Sequence, residues 1–205
     1  MKRRSPTLAL VTFTLLLAAP TASAVEPEPI PESTWITIQR LEGICFFNNW
    51  SPIEAGWRVF LQGKQVDDGA LPEIGKIPGL TGLALHDTSV TAAGMEQLED
   101  LTTLTSLALH GTKVGDSGLA RIGSLKRLTS LGLFETGVTD SGRTHLKKLP
   151  DLSVLYLGFN DVSDAGLVHL REMSQLRVLY LGGTRVTDAG ARRLQRSLPR
   201  CQIYR

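Results

Sequence analysis

Four histidines, two cysteines and a column of aspartates are the side chains whose types and spacing could do chemistry here. His86 and His110 stand 24 residues apart, and so do His145 and His169. If 24 residues make one turn of a stacked chain, adjacent turns bring each pair within about 5 Å, close enough to share a metal ion. Neither pair has a third ligand at suitable spacing, so surface histidines repeated by duplication compete with the metal reading. We expect no metal and no other cofactor. Asp116, Asp140, Asp164 and Asp188 recur at the same interval, each preceded by Gly, Thr or Ser. A carboxylate row could ladder calcium, yet each aspartate opens a helical stretch. There its side chain would accept bonds from the helix's free N–H groups and suit its dipole. Cys45 and Cys201 lie near opposite ends of the chain. Six or so stacking steps would separate them by about 30 Å, against about 5.5 Å across a disulfide, so they should stay unpaired as apolar thiols in the end caps. Neither cysteine has an evident histidine partner. There is no nucleophile elbow, no HExxH helix and no phosphate-cradling loop after a strand, so the expectation is a protein that is not an enzyme.

The elements that would position these groups come from one repeated phrase. VLYLGFNDVSDAGLVHL (154–170) returns as VLYLGGTRVTDAGARRL (178–194). Leucine recurs at 80, 104, 128, 152 and 176, again at 83, 107, 131, 155 and 179, and again at 85, 109, 133, 157 and 181. Valine holds 90, 114, 138, 162 and 186, and glycine holds 94, 118, 142, 166 and 190. A degraded sixth copy lies upstream in Val59, Leu61, Val66, Asp68, Ala70, Leu71 and Ile74, so the array begins near residue 53.

Within a copy the apolar period changes. Leu179, Tyr180 and Leu181 alternate as a strand does, with the leucines inward and the tyrosine outward. Gly166-Leu167, Leu170 and Met173 follow at helical spacing. One strand and one short helix cannot bury a leucine face alone, whereas stacked copies bury it against each other at about 1.5 to 3 kcal/mol per large aliphatic side chain. The fold class expected is therefore an α/β solenoid: a curved right-handed stack with a parallel sheet on the concave face and short helices on the convex face.

Several columns read as structural. The glycine two positions after each aspartate should mark close approach of neighbouring backbones. Thr88, Thr112, Thr136, Asn160 and Thr184 should satisfy backbone groups from copy to copy. Arg143 stands where Leu119 and Leu167 stand in other copies, and Ala191 is short there, so packing should be weakest at that column.

The phrase LxxLxLxxTxVTDxGLxxL, complete or nearly so in five copies, resembles the leucine-rich repeat. The resemblance is to its T-D-x-G-L variety, the ribonuclease-inhibitor-like and cysteine-containing type, in a bacterial-type exported form. It covers roughly residues 53 to 205. It implies a protein-binding scaffold rather than a particular partner. It also implies capped ends. Residues 34–52 would form an amino-terminal cap, with an amphipathic helix from about Trp35 to Leu41 and a strand over residues 44–47. Residues 53–196 would carry the six copies, and 197–205 would add a half-repeat that covers the last edge.

The first 24 residues have a basic start, an apolar run from Leu8 to Ala19 and Ala22-Ser23-Ala24, the features of a secretory signal peptide cleaved after Ala24. The apolar run is too short to span a membrane. Secretion or a periplasmic location is expected, with residues 25–33 as a proline-rich linker. Three of the 22 Lys+Arg lie in the leader, leaving 19 against all 20 acids. A near-neutral mature chain lacks the basic footprint of a nucleic-acid binder.

If the strand leucines face inward, one outward column runs Phe60, Ala84, Ala108, Gly132, Tyr156, Tyr180, Tyr204, and it holds all 3 tyrosines of the chain. Phe134 and Phe159 flank it, and His86 and His110 share a neighbouring column. Aromatic rows with polar tips suit protein hot spots and also stack on sugar rings, while cross-strand packing alone would explain them too. The candidate binding residues are Tyr156, Tyr180, Tyr204, Phe134, Phe159, His86 and His110. The partner expected is a protein ligand on the concave face, with a glycan or cell-wall component as the alternative, no nucleic acid and no membrane span.

Overall fold

A computed structural model describes residues 27–48 and 55–205. The leader, with its cleavage site, lies outside the described residues. Among these residues a single sheet has eight strands in chain order: β1 (Ile44–Asn48), β2 (Gly56–Gln62), β3 (Leu80–His86), β4 (Ser106–Ala108), β5 (Ser130–Gly132), β6 (Val154–Tyr156), β7 (Val178–Tyr180) and β8 (Gln202–Tyr204). From β2 to β8 the strands are parallel. Register follows the 24-residue period, so Leu83, Leu107, Leu131, Leu155 and Leu179 align in one row. The sheet is not parallel throughout, however. The cap strand β1 runs antiparallel to β2, pairing Ile44 with Phe60 and Phe46 with Arg58. A short connection can turn back only into an antiparallel partner, whereas each parallel step needs a whole crossover.

The helix α1 spans Glu32–Arg40 and so begins two residues inside the stretch read as linker. Its Thr34 hydroxyl donates to the Glu73 carbonyl, docking the cap on α2 (Leu71–Ile74). The convex side carries α3 (Gly115–Ile122) and α4 (Asp188–Ser197), while Gly94–Leu98, Gly142–Lys148 and Asp164–Leu170 wind as the tighter 3-10 form. Strand spacing of about 4.8 Å is narrower than the helices opposite, so the stack bends toward its sheet. Between the layers the strand leucines, the valine column and the helix leucines form one continuous core.

Polar groups tie the copies together differently from the sequence expectation. The aspartates do not cap their own helices. The carboxylates of Asp68, Asp116, Asp140 and Asp164 each reach into the next copy, accepting from the backbone N–H of Thr91, Thr139, Ser163 and Thr187 at 2.8–2.9 Å and from the hydroxyl of the same residue at 2.5–2.7 Å, while Asp188 pairs with Arg205. The same hydroxyl oxygen then accepts an N–H at the start of its own helix, from Ala93, Ser141, Ala165 or Gly190. A carboxylate thereby fixes the neighbouring cap. Where Ala92 replaces the aspartate, Gly115 replaces the hydroxyl it would have met. The glycine column makes room for the same carboxylates: a Cβ at Gly94, Gly142 or Gly190 would lie 2.0–2.2 Å from the preceding copy's Asp68, Asp116 or Asp164 oxygen. The close approach is of side chain to backbone, not of two backbones.

The Thr column also works within a copy. Thr112, Thr136 and Thr184 donate to the carbonyl three residues back, and buried Thr88 has no partner for its hydroxyl. Asn160 bonds across to the preceding copy, accepting from the Thr136 N–H and hydroxyl and from Val138 N–H while donating to the Leu133 carbonyl. A ladder absent from our reading runs beside the strands, where Thr81, Thr105, Thr129 and Ser153 each donate to the carbonyl of the preceding copy. Arg143 is not a loosely packed spot either. It is 0% exposed, and its guanidinium pairs with Asp140 and fills the space above Gly166. Cys45 and Cys201 are both free thiols; Cys201 is buried and Cys45 half-buried, and burial pushes the Cys45 thiol up to about 11.

Candidate functional site

Strand alternation turns every second residue onto the concave face, and the register stacks equivalent positions into columns. The column Phe60, Ala84, Ala108, Gly132, Tyr156, Tyr180 runs across the sheet and ends at Tyr204. His110 is the junction of the candidate residues. Its ring centre lies 5.0 Å from His86, 6.1 Å from Phe134 and 6.2 Å from Tyr156. Phe134 in turn meets Phe159 at 4.8 Å and Tyr180 at 6.3 Å, and Tyr156 meets Tyr180 at 6.5 Å. His86, His110, Phe134, Tyr156, Phe159 and Tyr180 therefore form one patch. Tyr204 stands apart on the edge strand, where its hydroxyl donates to Gln202.

The loop after each strand aims the patch. The same position in each copy takes a left-handed backbone there: Gly63, Asp87, Gly111, Glu135, Phe159 and Gly183. For a residue with a side chain this costs about 1 kcal/mol or more. Phe159 holds φ 55° while remaining 58% exposed, and a Cβ at Gly183 would lie 2.9 Å from its ring. Glycine at 183 thus leaves the ring its seat.

His110 has a defined protonation. The Phe134 N–H donates to its Nδ1 at 3.2 Å, so the neutral ring carries its proton on Nε2. Burial, with His86 adding to it, lowers the His110 pKa. Among the described residues no cluster of three or more His, Cys, Asp or Glu could hold a metal ion. His145 and His169 lie on the convex side, in the 3-10 turns Gly142–Lys148 and Asp164–Leu170.

Sequence reading missed the amino-terminal wall of this face. Phe46 of the cap stacks on Phe60 at 6.2 Å, a contact outside the 24-residue period because β1 is antiparallel. Arg58, two positions before Phe60, lies across Gly82. Its outward place in the degraded first copy was the available signal. A hollow of about 290 Å³ opens between these walls, bounded by Arg58, Phe60, His86, His110 and Tyr156 over a floor of small residues.

The fold is a leucine-rich-repeat solenoid, and residues 100–123 and 148–170 match the leucine-rich-repeat family. Among solved structures the chain resembles internalin C2 of Listeria monocytogenes, with a TM-score of 0.52 and 24% identity over 72% of this chain and 69% of that one. It also resembles an internalin (InlF) of Listeria monocytogenes, with a TM-score of 0.52 and 19% identity. That likeness covers 66% of this chain and only 43% of the internalin. A leucine-rich-repeat protein of Leptospira interrogans aligns with a TM-score of 0.50 and 23% identity over 64% of this chain and 33% of its own. No curated protein sequence matches this one. Among the described residues no helix is long and apolar enough to cross a membrane.

Proposed function

We propose that the protein is a non-catalytic interaction scaffold that holds a protein partner on the concave face of its sheet. The observation that carries this reading is the aromatic patch of Tyr156, Phe159, Phe134 and Tyr180, continuous across three copies of an otherwise small-residue surface, with Tyr156 and Phe159 exposed and Phe134 and Tyr180 half-buried. Rigid rings with polar tips give large contact area at low entropic cost, the usual composition of a binding hot spot. The solenoid supplies the rigidity, since each interior strand is bonded to both neighbours. Tyr204, at the sheet edge, serves as the outer contact of the same surface.

Proximity labelling in the native host, followed by pull-down with purified protein, tests this. A protein captured by the wild type and lost with Tyr156→Ala/Tyr180→Ala supports the scaffold, provided the variant keeps its far-UV spectrum. Unchanged capture overturns the assignment of the site. Glycan-array binding lost with the same double variant would assign the patch to sugar rings instead. We propose that the scaffold acts outside the cytoplasm, in the periplasm or beyond the cell. Its mature chain would begin at Val25, and amino-terminal sequencing of protein recovered from those fractions decides this.

A further inference from the structure

We propose that the hollow at the amino-terminal end of the concave face is a carboxylate-binding subsite, in which Arg58, His86 and His110 hold one acidic side chain of the protein partner. This rests on the scaffold reading above and adds the chemistry of the anchor.

Arg58 points outward from β2, and among the described residues no carboxylate pairs with it. Its Nε is closed off from water and has no hydrogen-bond partner, and the same is true of His86 Nε2. A polar atom left in that state costs about 1 to 3 kcal/mol, which each side chain recovers by turning its nitrogen toward an acceptor in the hollow. His110 adds a third nitrogen. Its Nδ1 is occupied by the Phe134 N–H, so the proton sits on Nε2, over the small-residue floor at Gly132. Two glycines keep these nitrogens seated. A Cβ at Gly132 would lie 2.6 Å from His110 Nε2, and one at Gly82 would lie 2.9 Å from the Arg58 side chain.

Charge selects the ligand. Arg58 contributes one positive charge, so the subsite balances one negative charge, and the imidazole nitrogens add hydrogen bonds to it. Asp87, beside the histidines, disfavours a second. A carboxylate, with one charge and two oxygens, fits this set, and a guanidinium meets its plane with two parallel bonds. The walls of Phe60 and Tyr156 close on the methylene stem that would carry it. An acidic side chain of a protein can therefore enter while its neighbours lie on the aromatic patch.

The test uses the full-length mature protein and two blocked peptides, Ac-Gly-Glu-Gly-NH2 and Ac-Gly-Gln-Gly-NH2, with the imidazole resonances of His86 and His110 as readout. The glutamate peptide should shift both resonances saturably, and the glutamine peptide should shift neither. Arg58→Gln should weaken the glutamate response about tenfold, as expected for loss of a charge-assisted bond. His86→Gln guards against a folding artefact at position 58, and both variants are checked by thermal unfolding. No shift with the glutamate peptide, or an equal response in well-folded Arg58→Gln and His86→Gln, overturns the proposal. So does inorganic phosphate competing as well as the glutamate peptide, because the site would then be an unselective anion site. If these arms fail while Tyr156→Ala/Tyr180→Ala still abolishes partner capture, the carboxylate subsite falls and the scaffold stands. If the peptide binds as described but that double variant captures its partner normally, the aromatic assignment falls instead.

Discussion

Single residues set the energetic extremes of this protein. Arg143 carries a charge into a site with 0% exposure, and Asp140 satisfies only part of it: Nε and Nη1 have no partner. Burial disfavours its charged form and the nearby carboxylates oppose that. Leucine occupies the same column at 119 and 167, so Arg143→Leu should raise stability by about 1 to 3 kcal/mol in urea unfolding, as removal of an incompletely satisfied buried ion often does. A lower midpoint would show instead that the ion pair stabilises the stack. His110 gives the opposite kind of liability. Because burial holds its pKa below the ordinary 6.5, the unfolded chain takes up the proton first as pH falls. The sign follows: stability from this group is intact well above 6.5, declines as pH drops through that value, and levels off below the folded-state pKa. Protonation would also displace the Phe134 N–H from Nδ1. His110→Gln should flatten the fall in thermal midpoint between about pH 7 and pH 5. An unaltered slope would assign the effect to other groups.

At the scale of the element, the recurring device is the carboxylate that orients the next copy's hydroxyl cap. Burial raises the Asp140 pKa, but bonds from Ser163 and the charge of Arg143 outweigh it; Thr187 alone leads the lowering at Asp164. The glycine two positions along belongs to the same device, since Gly142 faces the Asp116 oxygen at 2.2 Å from where a Cβ would stand. A double-mutant cycle tests this directly. Gly142→Ala should cost about 2 kcal/mol or more with Asp116 present and markedly less in an Asp116→Ala background, a coupling of about 1 kcal/mol or greater. Additive effects would show that the glycine answers to backbone conformation alone. This device was half legible in the sequence. The aspartate and glycine columns are visible as periodic residues, and their link to helix starts follows from type. That the carboxylate serves the following copy is invisible along the chain, because the contact spans 23 residues.

On the scale of the whole molecule, a cap strand and helix lie at one end of the stack and a half-repeat at the other. At the carboxy-terminal end the Tyr204 carbonyl accepts from Leu181 N–H, Gln195 donates to the carbonyls of Leu198 and Cys201, and Arg205 pairs with Asp188. Deleting residues 199–205 strips β7 of its outer neighbour and opens the core leucines beside it. The shortened chain should lose its monomer peak in size-exclusion chromatography and form aggregates. A well-behaved monomer would show that the half-repeat is dispensable. The sequence by itself determined the 24-residue copy, the inward leucines and the outward tyrosine column, since alternation and period are local properties that each copy states again. Tertiary structure alone decided the antiparallel cap pair, the burial of Arg143 and the placing of Arg58 and the two histidines around one hollow. The cap pair lies outside the period, and at Arg143 and Arg58 the period gives the position but not what the side chain meets, which exists only once the copies are stacked.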